Sequence, residues 1–131
     1  FLAASDVKPV KVWGFSLRDL WDILQQSQVK QQIIWLDCCF AGELLNFKDT
    51  ELGRQSAGCD RFLIAASRDY EVAYQQLDGK HGVLTGAILA ALNTNQVYEG
   101  DWITNRMLAV SVEENLQKYY EKTKIPQTPL I

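Results

Sequence analysis

The reactive side chains of this sequence lie in two short segments, each of which follows an apolar run. Asp37–Gly42 (Asp-Cys-Cys-Phe-Ala-Gly) follows Ile33–Leu36, and Ser67–Asp69 follows Phe62–Ala66. Apolar runs of this length predict strands that are buried on both faces. A thiol on the turn after such a strand is exposed enough to react, and backbone amides near a following helix favour its thiolate form. Cys39 is therefore a candidate nucleophile.

The three cysteines also allow a different interpretation, because free cysteine is more often a small buried apolar side chain. Their number is odd, and the neighbours Cys38 and Cys39 cannot easily form a disulfide. We therefore expect a reducing, cytoplasmic environment. Together with Cys59 and His81 the cysteines lack the paired spacing of a zinc site, so no metal site is predicted.

The elements around the two segments predict an α/β fold with a mainly parallel sheet flanked by helices. In such a sheet functional groups gather beyond the carboxyl ends of the strands, where both segments lie. The helices are predicted from apolar residues at helical spacing and from capping residues at their starts. The first three helices span Ser16 to about Gln26, a short stretch at Glu43–Phe47, and about Val83 to Leu92. The last helix has Thr104 as its N-cap and an apolar stripe of Leu108, Val112 and Leu116. An extended tail at Ile125–Ile131 follows it.

Composition limits the class of protein. The 131 residues suit one domain, and 47% hydrophobic with 22% charged residues is typical of a folded globular chain. The net charge of -3 and the scattered Lys and Arg argue against nucleic acid as a partner. No apolar run approaches the roughly 20 residues of a membrane span, so no membrane association is expected.

Four segments, in order along the chain, resemble the caspase-like cysteine peptidases, especially the metacaspases and the bacterial orthocaspases. Asp37–Gly42 resembles the D-x-C-x-[SA]-G nucleophile motif, with Cys39 at the nucleophile position and Cys38 at the variable one. Phe62–Ala73 is similar to the family's next strand and pocket segment, His81–Leu89 to its G-x-[FL]-T helix start, and Gln127–Pro129 to its Q-x-P-type segment. The resemblance implies a caspase-hemoglobinase sheet and a cysteine-type endopeptidase (a thiol protease, and so a hydrolase) that needs no cofactor.

The resemblance also implies substrates with Arg or Lys before the scissile bond. Asp37 matches the motif's leading aspartate and Asp69 the acidic residue after the following strand, and in metacaspases these two line the pocket for a basic side chain. Two carboxylates at neighbouring strand ends would bind a guanidinium or ammonium group through charge-assisted hydrogen bonds. The alternative for each is a strand-end cap or an ordinary loop residue.

The family's catalytic base is a histidine about 50 residues before the cysteine, and counting that far back from Cys39 goes beyond residue 1. We therefore expect the chain, over residues 1–131, to be the C-terminal, partial domain of the peptidase, with its base on an upstream segment. His81, the only histidine, is the alternative base within the chain, but it lies at a turn to which the resemblance gives no catalytic task, where an exposed histidine is ordinary. Calcium activates some metacaspases, but no EF-hand loop supports it here. The alternative function is a non-catalytic scaffold or inert fragment that acts as an interaction module.

Two further features stay open at the level of sequence. The segment from Lys48 to Arg61 resembles the place where some relatives process themselves, and Lys48, Arg54 or Arg61 is a candidate cleavage point unless the segment is only a solvated loop. Tyr70, Tyr74 and Trp102 are candidate walls of a substrate groove, although aromatic residues more often fill cores.

Overall fold

The computed structural model of the chain describes residue 2 and residues 14–46, 59–93 and 102–131. The two strands form a parallel pair in which Gln31 is opposite Asp60 and Leu36 is opposite Ala65. The predicted α/β class is therefore confirmed, with a two-stranded parallel sheet in the described part of the chain. In chain order the elements are α1 (Leu17–Gln26), β1 (Gln31–Leu36), α2 (Glu43–Asn46), β2 (Asp60–Ala65), α3 (Val83–Leu92) and α4 (Asn105–Thr123).

The predicted capping residues begin two of the helices. The Ser16 hydroxyl accepts hydrogen bonds from the N–H groups of Arg18, at 3.1 Å, and Asp19, at 3.4 Å. The Thr104 hydroxyl accepts one from the N–H of Met107 at 3.2 Å. Each cap satisfies an amide that the helix itself leaves unpaired, which is typically worth about 1 kcal/mol.

The helices lie on both faces of the sheet and make two separate cores. α1 and α2 bury Leu17, Trp21 and Leu44 against one face. α3 and α4 pack on the other face, where Ile64 of β2 meets them. Full burial of a Leu, Ile or Val side chain contributes about 1.5–3 kcal/mol. The second core is made by Ile64, Ala66, Val83, Leu84, Ala87, Ile88, Ala91, Leu108, Val112 and Leu116, which include the predicted stripe of α4.

The prediction that β1 is buried on both faces is wrong. Ile33 is 60% exposed and Trp35 is 43% exposed. Both residues lie opposite β2 residues, Phe62 and Ile64, that do contact the second core. The helices on this face therefore cover β2 but leave β1 open to solvent.

The assignment of Arg61 to a loop is also wrong, since β2 begins at Asp60 and includes it. The Arg61 guanidinium donates to the Leu24 carbonyl at 2.8 Å and to Gln32 Oε1 at 2.6 Å, and it lies 5.1 Å from the centre of the Trp21 ring. These contacts hold the end of α1 on the sheet, so Arg61 is a structural residue here. The other candidate cleavage points, Lys48 and Arg54, lie outside the described residues, as does Phe47 of the predicted short helix.

The tail after α4 is extended, as predicted, and returns to the sheet. Lys124 ends the helix in the left-handed conformation, with φ of 61°. Leu130 then pairs with Ala65 of β2 in antiparallel fashion, through hydrogen bonds of 2.8 and 3.0 Å. None of the described helices combines the length and apolar character needed to cross a bilayer.

Candidate active site

Cys39 lies on a tight turn three residues beyond the end of β1. The next residue, Phe40, has φ of 58°, in the left-handed region that a bulky side chain rarely adopts. Such strained backbone persists only where the surroundings over-determine it, and it often marks functional turns. The turn therefore has a fixed, unusual shape that leaves the Cys39 side chain exposed.

The segment that follows β2 supplies the contacts that fix this turn. The N–H of Phe40 donates to the Glu71 carbonyl at 2.9 Å, and the N–H of Gly42 donates to the Ser67 carbonyl at 2.9 Å. The Ser67 hydroxyl also donates to the Cys38 carbonyl at 3.3 Å. Residues 67–71 are thus joined to the Cys39 turn by hydrogen bonds to its backbone.

The Cys39 sulfur faces the backbone of Ala73. The N–H of Ala73 lies 3.4 Å from Cys39 Sγ and donates to it, while the Ala73 carbonyl lies 3.9 Å from the same sulfur. A backbone donor aimed at sulfur is an arrangement that suits a nucleophilic thiolate.

Cys38 is in a different environment from its neighbour. Its side chain is half-buried, and burial raises the pKa of the Cys38 thiol, with the neighbouring Cys39 and Asp37 adding to the effect. A thiol that keeps its proton is a poor nucleophile. Cys39 is therefore the better candidate of the two.

Cys39 opens onto a cleft of about 290 Å³ that contains two carboxylates. One belongs to Asp69, which the sequence predicted, and its Oδ2 accepts a hydrogen bond from the Asn46 side chain at 3.3 Å. The other belongs to Glu43, which sequence reasoning missed. The available signal was its position at the start of the short helix, directly after the glycine that closes the nucleophile motif. The cleft is lined by Leu2, Leu17, Cys38, Cys39, Phe40, Glu43 and Asp69.

Asp37, the second predicted pocket residue, has its carboxylate at the start of α3. Its Oδ2 accepts hydrogen bonds from the N–H and the hydroxyl of Thr85, at 3.0 and 2.6 Å. Of the two predicted acidic residues, Asp69 thus shares the cleft of Cys39, whereas the Asp37 carboxylate contacts α3.

His81 is exposed at the turn before α3, where its carbonyl accepts a hydrogen bond from the N–H of Gln76 at 2.9 Å. It does not belong to the described residues that line the Cys39 cleft, and those residues include no histidine.

A second cleft, of about 310 Å³, lies between the segment after β2 and the tail. Tyr70 and Tyr74 line it and are 67% and 39% exposed, and Trp102 is 82% exposed elsewhere. The alternative that these three aromatic residues fill cores is therefore wrong. Tyr74 directly follows Ala73, so this cleft adjoins the backbone that faces Cys39. Its lining is Tyr70, Glu71, Val72, Tyr74, Pro126 and Thr128.

Within residues 2, 14–46, 59–93 and 102–131, no group of three or more His, Cys, Asp or Glu is arranged to hold a metal ion. Comparisons with protein-family models, with curated proteins and with solved structures found no match to this chain.

Proposed function

We propose that this chain is the nucleophile-bearing part of a cysteine endopeptidase of the caspase-like, metacaspase or orthocaspase type, which cleaves after Arg or Lys. One observation carries the proposal: Cys39 is exposed on a strained turn at the carboxyl end of a parallel strand, with the Ala73 N–H aimed at its sulfur. A nucleophile at the carboxyl edge of an α/β sheet is where this class of chemistry is generally found. The fold we propose is the caspase-hemoglobinase sheet, of which β1 and β2 are the two described strands.

The carboxylates beside Cys39 support basic substrates. Asp69 and Glu43 line the same cleft as the sulfur, so a peptide whose carbonyl lies at Cys39 can direct an Arg or Lys side chain toward them. Both pairings are charge-assisted, and a guanidinium can bind a carboxylate through two parallel hydrogen bonds. Asp37 adds negative charge next to Cys38, and Thr85 orients its carboxylate.

The reaction needs a base that we assign to a histidine on an upstream segment of the same domain. That imidazole takes the Cys39 proton, and the thiolate attacks the scissile carbonyl carbon to form a tetrahedral oxyanion. Backbone amides of the turn, including that of Cys39, stabilise the oxyanion. The imidazolium then protonates the leaving amine as the C–N bond breaks, and water hydrolyses the thioester to release the acid and restore the thiol.

The open side of β1 supports the docking of such a segment. In the described residues β1 pairs with β2 alone, and its exposed Ile33 and Trp35 present apolar surface beside that edge. An added strand would satisfy the edge amides, and elements packed on the same face of the sheet would cover these side chains.

A non-catalytic interaction module is the second candidate function. The observation in its favour is that the described residues of the Cys39 cleft include no imidazole to activate the thiol. On this alternative the edge of β1 that pairs with no other described strand would bind a partner, and Cys39 would have no catalytic task.

The deciding experiment is to express the chain together with the segment encoded upstream and to assay fluorogenic peptides that end in Arg, Lys or Asp. We expect turnover of the Arg and Lys reporters only. Cys39→Ala should abolish it and Cys38→Ala should retain most of it. Asp69→Asn or Glu43→Gln should lower kcat/KM for Arg by roughly 10- to 100-fold, the value of a hydrogen bond between charged groups. Equal turnover of the Asp reporter would refute the basic pocket, and no turnover of any reporter would favour the interaction module.

A further inference from the structure

Gln127, in the tail, joins the two ends of the segment that holds the Cys39 turn. Its side-chain Nε2 donates a hydrogen bond to the carbonyl of Ala66, at the end of β2. Its Oε1 accepts one from the N–H of Tyr74 at 3.1 Å. Residues 67–73 lie between these two points, so a single side chain closes this segment at its base.

The closed segment provides the contacts that shape the candidate nucleophile. Ser67 and Glu71 accept hydrogen bonds from the amides of the turn, and Ala73 donates to the Cys39 sulfur. Ala73 is the residue directly before Tyr74. Any shift of the Tyr74 backbone therefore moves the N–H group that faces Cys39 Sγ.

The tail holds Gln127 in place. Leu130 pairs with Ala65 through two backbone hydrogen bonds, three residues further along. Pro126 and Pro129 restrict the backbone on either side of Gln127 and favour the extended conformation that the tail adopts. The side chain therefore reaches the loop from a backbone that is itself fixed to the sheet.

The two contacts require an amide. Ala66 is fully buried, and its carbonyl needs a donor, while the Tyr74 N–H needs an acceptor. A carboxylate of the same length provides only the acceptor, and an apolar side chain provides neither.

We infer that Gln127 is a positioning residue for Cys39: it closes the 67–73 segment and thereby holds the Ala73 N–H against the sulfur. The inference rests on the proposed function only in that Cys39 is taken as the nucleophile. The contacts themselves do not depend on it.

The test measures the alkylation of Cys39 by iodoacetamide at pH 7.5 in the 131-residue chain, by peptide mass spectrometry, with Cys59 as the reference thiol in the same sample. Gln127→Ala and Gln127→Glu should each lower the ratio of the Cys39 rate to the Cys59 rate by about three- to tenfold, the range expected for the loss of one net hydrogen bond. The amide of Tyr74 should exchange with solvent faster in Gln127→Ala. Gln26→Ala is the matched control, because Gln26 is exposed at the end of α1, and it should leave the ratio unchanged.

Cys39 ratios within twofold of the wild type in a folded Gln127 variant would overturn the inference, whatever happens at Tyr74. If Gln127→Ala unfolds, which faster Cys59 alkylation would reveal, the near-isosteric Gln127→Glu decides. Alkylation needs no peptidase activity, so failure of the proposed function would not alter this result. In the enzyme assembled with its upstream segment, Gln127→Glu should lower kcat for the Arg reporter, since the Ala73 N–H is then no longer held against the Cys39 sulfur.

Discussion

Asp37, which directly follows β1, caps α3 by contacting Thr85, a residue 48 positions further along the chain. Its Oδ2 accepts hydrogen bonds from the Thr85 N–H at 3.0 Å and from the Thr85 hydroxyl at 2.6 Å. The N-cap residue of α3 is Gly82, which has no side chain to cap with. The strand therefore supplies the cap that the helix lacks, and a carboxylate at this end also complements the helix dipole.

This contact predicts a stability role for Asp37. Asp37→Ala and Thr85→Val should each lower the free energy of unfolding, by about 1–3 kcal/mol for a charged hydrogen bond. Thr85→Ser, which keeps the hydroxyl, should lose less. Urea denaturation of the two single variants and the double variant measures the coupling, which should lie in the range of about 0.5–3 kcal/mol for residues in contact. Additive effects would show that the two side chains do not act together.

The same contact changes how Asp37 variants must be interpreted in the proposed enzyme. A loss of activity in Asp37→Ala can arise from a displaced turn as well as from a lost pocket charge. Thr85→Val separates the two, because it disturbs the cap and leaves the carboxylate in the chain. A rise in KM for an Arg reporter in Asp37→Asn but not in Thr85→Val would assign Asp37 to the pocket.

Gly42 marks the closest approach between the nucleophile turn and the segment after β2. A Cβ atom at this position would lie 2.8 Å from the Asp69 nitrogen and 2.9 Å from the Arg68 carbonyl carbon, both backbone atoms. Gly42→Ala should therefore destabilise the fold, by roughly 1–3 kcal/mol as for other overpacked sites. Thermal denaturation followed by circular dichroism measures the loss.

Gly86, inside α3, is the matched control. The three atoms nearest to a Cβ there all belong to the end of the flexible Gln76 side chain, which can move aside. Since Ala is the better helix former by about 1 kcal/mol, Gly86→Ala should be neutral or stabilising. If the two alanine variants have the same melting temperature, the close approach at Gly42 does not exclude a larger side chain from that position.

Much of the fold was predictable because the signals are local. α3 spans the predicted Val83–Leu92, and the caps at Ser16 and Thr104 begin their helices as expected. The exposure of Ile33 and Trp35 was not predictable, because an apolar run shows that a strand can be buried but not which elements cover it.

The site was predicted less completely than the fold. Cys39 and Asp69 share a cleft, as their places after neighbouring strands indicated. Glu43 was missed as a residue of the candidate site although it directly follows the motif glycine, and Gln127 was missed because it acts through contacts with residues distant in sequence. The cap by Asp37 was missed for the same reason, since nothing near Gly82 in sequence indicates a donor or acceptor from β1.

The two neighbouring cysteines should differ in reactivity and in their effect on stability. Burial raises the pKa of Cys38, so the folded state keeps this proton to higher pH than the unfolded state does. The resulting contribution to stability is complete below the pKa of the Cys38 thiol in the unfolded chain, about 8.5, and it is lost as the pH rises through the pKa of that thiol in the folded chain. Between pH 8 and 10 the free energy of unfolding should therefore fall less in Cys38→Ala than in the wild type, as measured by urea denaturation.

At pH 7.5 Cys38 should react with iodoacetamide more slowly than the exposed Cys39, since burial shields its sulfur and raises its pKa, and only the thiolate reacts. Cys59→Ala is the control for the urea denaturation and for the alkylation, and it should leave the alkylation rates of Cys38 and Cys39 unchanged. Preferential labelling of Cys38 would reverse the assignment of the nucleophile.

The last prediction concerns the 131-residue chain on its own, which should hydrolyse no peptide at a useful rate. The described lining of the Cys39 cleft contains no imidazole, and His81 faces solvent at another turn. General-base assistance is typically worth 10²–10⁴-fold, and the chain should lack all of it. The assay compares the chain, its His81→Ala variant and a mixture with the separately expressed upstream segment on one Arg reporter. We expect activity only in the mixture, unchanged by His81→Ala. Robust activity of the chain alone that disappears in His81→Ala would show that His81 is the base and that the proposed division of the active site is wrong.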